Sequence, residues 1–286
     1  MRCMIVGCQR SGTTLLREIL NSGELLVFDE NWIAAYLYRE RFHAFQWRSQ
    51  GYAYDDDDTR IWDMRARQFL KYTYQSYFER ERKPSQTGWG MKSPGLNMAY
   101  AIPFLAGLFK ELKFIYMVRD PRDTYASMKN SEKMMNYLPG NFYQDSINSP
   151  DLVDLYLNPF SYWASVQREI LKHREEMPER FHTIYFERLM ESPLDCLEAL
   201  CNFLQINFKE EMLEPFTRKI SNSSVISMDR QDYLRGNFVL KRTAVGRWIR
   251  DLTPEEANQI VKHSRIEAEK LGYLHSSFGK AVAEAI

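Results

Sequence analysis

The sequence predicts an α/β protein built on a parallel sheet, and three observations lead there. Short apolar runs alternate along the chain with longer segments of helical periodicity. The first such run ends at Gly7 and opens through a glycine-bounded loop directly into a helical pattern. The clearest later run, residues 112–118, feeds a helix whose opening carries Asp120 and Pro121.

Each element can be justified in turn. Residues 1–6 are apolar and partly β-branched, which predicts a buried strand. Leu15, Leu16, Ile19 and Leu20 share one face, so a helix is expected over about residues 12–21, stopped at Asn21-Ser22-Gly23. Trp62, Ala66, Phe69, Leu70, Tyr74, Tyr77 and Phe78 predict a helix over 62–80, with Asp55 to Asp58 ahead of it as a solvated loop and cap. A glycine-bounded strand ending at Lys92 follows, then a helix from Asn97 to about Lys110 that contains Pro103.

Strand 112–118 leads to a helix from 121 to about 130, in which Asp120 caps, Pro121 takes the first position and Asp123 the first turn. Residues 131–157 are polar and turn-rich, with Pro139, Gly140 and Pro150, and are expected as an irregular excursion. A helix near 159–176, a strand over 182–186, helices near 193–205 and 208–220, and a last helix opened by Thr253-Pro254-Glu255-Glu256 complete the order. One domain over residues 1–286 is expected, without internal repeats.

Composition excludes several classes. The 286 residues carry 38 basic and 38 acidic side chains, a balance that argues against a polycationic nucleic-acid binder. No apolar run approaches the roughly 18–20 residues of a membrane span, and no leader pattern precedes Gly7, so a cytoplasmic protein is expected. Cys3, Cys8, Cys196 and Cys201 show neither CxxC nor Cys/His metal spacing, so free thiols and no metal are expected. The aromatic share of 14% fits either aromatic-lined surfaces or a bulky core.

The segment Gly7-Cys8-Gln9-Arg10-Ser11-Gly12-Thr13-Thr14 sits between a strand and a helix, where unpaired N–H groups and the helix dipole form an anion cradle. The spacing is that of a phosphate loop, but Thr13 stands where a nucleotide kinase would carry its lysine. The cation is instead Arg10, inside the loop, which suits a single 5′-phosphate. A glycine turn with no function is the bland alternative.

This loop, GCQRSGTTLL, resembles the 5′-phosphosulfate loop of sulfotransferases, enzymes that use 3′-phosphoadenosine 5′-phosphosulfate (PAPS) and release 3′-phosphoadenosine 5′-phosphate (PAP). YMVRDPRDTYAS resembles the family's 3′-phosphate motif, an arginine ending a strand and a serine eight residues on, here Arg119 and Ser127. LKRTAVGRW resembles its basic-glycine segment before a tryptophan, with Lys241 and Arg242 keeping the charge and Thr243 standing in place of glycine. IYFERLMESP is a weaker match, placing Phe186 where tyrosine is common and Tyr185 beside it. Leu15 departs from the tryptophan of many cytosolic aryl and steroid members, and their dimer segment is missing after Trp248, so the match is closer to the bacterial and tyrosyl-protein branch.

The resemblance implies the P-loop-like sulfotransferase fold, a parallel sheet flanked by helices. It also implies transfer of a sulfonate from PAPS to a hydroxyl or amine acceptor, a small molecule or carbohydrate rather than a protein, without metal. Segments 31–78 and 131–160 are expected to cover the acceptor side. Arg10, Ser11, Gly12, Thr13 and Thr14 would hold the 5′ end, and Arg119, Ser127, Tyr185, Lys241 and Arg242 the rest of the nucleotide. Lys92, in GMKSPG, would approach the bridging oxygen with Arg10 beside it. Glu30 would be the base, with Asp29, Glu24 and His43 as rivals. A nucleotide-dependent kinase and a non-catalytic nucleotide-binding module remain the alternatives.

Overall fold

The computed structural model describes residues 3–29, 37, 56–130, 158–217 and 244–273. In chain order it runs β1 (Cys3–Gly7), α1 (Thr13–Ser22), β2 (Leu25–Phe28), α2 (Asp56–Glu81), β3 (Gly88–Lys92), α3 (Leu96–Leu108), β4 (Lys113–Val118) and α4 (Pro121–Lys129). It continues with α5 (Tyr162–Glu176), β5 (Phe181–Tyr185), α6 (Phe186–Glu191), α7 (Pro193–Leu204), α8 (Glu214–Thr217), α9 (Trp248–Asp251) and α10 (Pro254–Lys270). A five-stranded parallel sheet forms among the described residues in the order β2-β3-β1-β4-β5.

All five residues of β1 are buried, because helices cover both faces of the sheet. Strand alternation divides the core in two. Met4, Val6, Trp89, Met91, Phe114, Tyr116 and Val118 face α3 and α5. Cys3, Ile5, Val27, Ile115, Met117 and Ile184 face α1 and α7, whose Leu15, Leu16, Ile19, Leu197 and Leu200 complete that layer. The helix α3 is apolar nearly all round, with Leu96, Met98, Ile102 and Leu105 buried, as befits a helix enclosed between the sheet and its neighbours.

Several expectations shift. Asp56 to Asp58 belong to the first turn of α2 rather than to a loop. The expected helix over 208–220 is instead a 3₁₀ turn, Glu210–Leu213, followed by the short α8. Pro215 has no N–H to carry one continuous helix across that junction. The strand β2 and the short helix α6 were not expected. Phe186, placed in a strand by its sequence, starts α6. The excursion expected over 131–157 lies outside the described residues.

Chain order places the site. β1 leads by α1 to the edge strand β2, and β3 then pairs between β2 and β1, so the next crossover must pass over β1 to β4. The carboxyl end of β1 thus lies between those of β3 and β4, where open parallel sheets take their ligands.

Candidate active site

The loop after β1 is held in a shape that only certain residues tolerate. Gly12 has φ +98°, and a Cβ there would lie 2.5 Å from the Phe186 ring. Gly7, at φ +148°, would drive a Cβ to 2.3 Å from the Met117 carbonyl oxygen of the neighbouring strand. Arg10 adopts φ 67° without being glycine, a left-handed conformation that costs on the order of 1–3 kcal/mol and persists where surroundings enforce it. Ser11 Oγ donates to the Cys8 carbonyl at 2.7 Å and closes the turn. The helix α1 then begins with neither a side-chain cap nor an acidic first turn, so its amide end is suited to an anion.

The loop following β3 is stitched to the same place. The backbone N–H of Ser93 donates to Ile5 O at 3.1 Å, and that of Gly95 to Gly7 O at 2.8 Å. Lys92, the last residue of β3, is fully buried, and its Nζ donates to Thr14 Oγ1 at 3.2 Å and pairs with Asp29 Oδ1 at 2.7 Å. Asp29 also pairs with Arg17.

On the other side of the loop, β4 ends in Arg119, only 4% exposed, whose terminal nitrogens donate to the carbonyls of Arg10 at 2.8 Å and Ala244 at 2.6 Å. Its guanidinium lies 4.6 Å from the centre of the Phe186 ring. The Arg119 Nε is buried without a partner among the described residues, a donor left over for a ligand. Ser127, in the second turn of α4, accepts a hydrogen bond from Arg10 Nε at 3.1 Å. Burial lowers the Arg119 pKa from its usual value; Asp123 and Glu187 oppose that shift, while Arg247 and Arg10 add to it. Three arginines, Arg10, Arg119 and Arg247, thus lie close together with two acids, Asp123 and Glu187.

The segment preceding α9 closes over this side. Asp123 accepts the backbone N–H of Gly246 at 2.7 Å and of Trp248 at 3.0 Å, and Arg122 lies 4.3 Å over the Trp248 ring. Burial raises the Asp123 pKa, as does the neighbouring Asp120, while those two amides and Arg119 hold it back. Asp120 caps α4 by accepting from Arg122 N. The strand-end backbone is anchored from outside: Trp163 Nε1 donates to Arg119 O at 3.0 Å, and Asp120 N donates to Glu187 Oε1 at 2.8 Å.

The structure thus brings Arg10, Ser11, Gly12, Thr13, Thr14, Lys92, Arg119 and Ser127 to one end of the sheet. Tyr185 and Phe186 part company. Phe186 lies buried beneath the loop, whereas Tyr185 packs on the opposite core layer with its ring 6.0 Å from that of Tyr273. Glu24 precedes β2, at the far end of the sheet, and accepts from Asn207 Nδ2 at 2.8 Å. Glu30, His43, Lys241, Arg242 and Thr243 lie outside the described residues. Sequence reasoning overlooked Arg17, Glu187 and Arg247. For Arg17 a signal existed: it is a cation one turn after Thr13 and Thr14, on the same face of the helix that opens at the glycine loop.

Comparison with curated protein sequences finds no significant match. Among solved structures, the sulfotransferase domain from the curacin biosynthetic pathway is similar at TM-score 0.57 and 21% identity, over 91% of this chain and 95% of that one. The sulfotransferase domain from the Synechococcus PCC 7002 olefin synthase gives 0.54 and 18%, over 91% and 92%. Mouse sulfotransferase SULT7A1 complexed with PAP gives 0.50 and 16%, over 99% and 87%. At these identities the likeness shows a shared fold. Residues 3–210 match the description "Sulfotransferase family", a span that takes in the glycine loop, Lys92, Arg119 and Ser127, and the chain therefore belongs to the sulfotransferase family.

Proposed function

We propose that the protein transfers a sulfonate group from PAPS to a hydroxyl acceptor, a small molecule or carbohydrate, and releases PAP. The observation that carries this reading is the pair of cationic sites flanking the glycine loop. Lys92 and Thr14 lie on the β3 side, and Arg10, Arg119 and Ser127 on the β4 side. A nucleotide with one phosphate cluster needs one such site; PAPS carries anionic groups at both its 5′ and 3′ positions and suits two.

On this reading the amide end of α1, Thr13 and Thr14 hold the 5′-phosphosulfate, while Arg119, through its spare Nε, and Ser127 hold the 3′-phosphate. Lys241 and Arg242 would close over the nucleotide from the segment before Ala244. Tyr185, on the opposite core layer from Phe186, is dropped from the nucleotide site. The sulfur–oxygen bond to the 5′-phosphate breaks as a bond to the acceptor oxygen forms. Lys92 stabilises the charge that collects on the departing phosphate oxygen, a role expected of Arg10 as well, but the bond of Arg10 to Ser127 turns it toward the 3′-phosphate side. The acceptor proton goes to a base, for which Glu30 is the candidate, one residue beyond Asp29. No metal enters the reading. Its setting is a cytoplasmic one, in keeping with four unbridged cysteines.

Calorimetry with PAP and with adenosine 5′-phosphate tests the reading. PAP should bind at least about tenfold more tightly. Arg119→Ala should remove most of that preference while changing adenosine 5′-phosphate affinity little. Equal affinities in the unaltered protein would remove the 3′-phosphate assignment. PAP binding with no sulfonate transfer to any acceptor would favour a non-catalytic nucleotide module.

A further inference from the structure

Three elements meet in a closed polar chain beneath the glycine loop. The helix α1 contributes Thr14 and, one turn on, Arg17; the end of β2 contributes Asp29; the end of β3 contributes Lys92. One Asp29 oxygen takes Lys92 Nζ at 2.7 Å and the other takes Arg17, whose guanidinium is also bound by Glu18. Lys92 then returns to α1 through Thr14. Lys92 is wholly inaccessible to solvent, and Arg17 is 8% exposed.

A buried ammonium without a counter-charge loses its proton or its place, because burial penalises the charged form. Lys92 can neutralise a departing oxygen only while it is protonated and aimed at the end of α1. The carboxylate beside it supplies the missing stabilisation. Both Asp29 oxygens are engaged by cations, and a carboxylate so paired is a poor base toward an acceptor hydroxyl. A second function for that carboxylate follows from the same geometry.

We infer that Asp29 is a positioning residue: clamped by Arg17, it holds Lys92 charged and directed at the phosphate loop. The inference rests on the catalytic role proposed for Lys92, but the contact itself can be measured independently. The test follows the Lys92 side chain by NMR in protein labelled with ¹³C at the lysine Cε, with its signal assigned by its loss in Lys92→Ala. In the unaltered protein the signal gives the reference titration midpoint. In Asp29→Asn, which keeps the shape and removes the charge, the titration midpoint should fall by about one unit or more. Asp29→Glu, which restores the charge, should recover most of that fall.

The kinetic arm uses PAPS itself, with water as acceptor, and reads release of PAP. Asp29→Asn should slow this at least about tenfold while PAP affinity stays within about threefold, and it should add nothing to Lys92→Ala, since both act through one ammonium. An unchanged Lys92 midpoint in Asp29→Asn would overturn the inference. So would a rate loss in Asp29→Asn that adds in full to that of Lys92→Ala, which would make Asp29 a reacting group in its own right. Should Lys92→Ala turn over PAPS normally, the catalytic role of Lys92 fails instead, whatever the NMR midpoint says of the contact.

Discussion

Gly12 carries two constraints at once, a left-handed backbone and contact with a ring. Its φ of +98° suits a residue without Cβ, and the ring it would strike belongs to Phe186, which also lies against the Arg119 guanidinium. Gly12→Ala should therefore cost on the order of 1–3 kcal/mol of stability and displace Phe186 from beneath Arg119. Urea unfolding together with PAP calorimetry checks this. An unchanged midpoint with unchanged affinity would mean that the ring gives way freely. Arg10 accepts the strained conformation at the crown of the same loop, and there the side chain cannot be traded for glycine without losing the cation that reaches Ser127.

At the scale of elements, one helix organises the nucleotide side. Asp120 caps α4, Asp123 in its first turn gathers the Gly246 amide and the Trp248 amide at the start of α9, and Lys129 at its end pairs with Glu256 at 2.7 Å. Glu256 is the third residue of α10 and the acid of the capping box that starts it, so this one carboxylate ties two helices together. Asp123→Asn retains one acceptor oxygen and turns an amide toward the second donor. It should lower stability by roughly 1–3 kcal/mol and speed hydrogen exchange at the Gly246 and Trp248 amides. Exchange as slow as in the unaltered protein would show that the segment is held by other contacts, such as Arg119 to Ala244 O.

The whole molecule shows in its pH dependence, because Glu187 joins parts far apart in the chain. It accepts from Asp120 N at the end of β4 and from the Tyr273 hydroxyl at 3.0 Å beyond α10. Burial pushes its pKa from 4.5 up to about 7, with Asp120 adding to the rise and the hydrogen bonds holding it back. Between those two values the folded protein keeps a proton that the unfolded chain has released. Stability from this group is therefore fully present below about pH 4.5 and is lost as pH rises through about 7. Glu187→Gln removes the titration while leaving an acceptor for Asp120. The difference in unfolding free energy between the two proteins, from urea titration, should change in favour of the glutamine variant from pH 5 to pH 8, by an amount on the order of 3 kcal/mol. A constant difference would place the Glu187 pKa near its ordinary value.

Much of this site was legible because it is local in the chain. Strand, glycine loop and helix follow one another within residues 3–22, and Arg119, the Asp120 cap and Ser127 stand on a single strand-to-helix turn. Their roles as an anion cradle depend on backbone N–H groups and helix ends, which short segments dictate by themselves. What escaped the sequence was decided by packing between segments distant in the chain. The strand β2 is a four-residue run that pairs only because β3 lies beside it, and that pairing alone sets Asp29 against Lys92, 63 positions apart. Phe186 became the floor of the loop and Tyr185 a residue of the opposite layer once β5 had docked on β4 and alternation assigned their sides. The sequence by itself determined a family of phosphate-binding turns on a parallel sheet. Only the tertiary structure decided which buried charges face one another, because an ion pair depends on the distance between two side chains in space, and in a parallel sheet that distance is set by strand order.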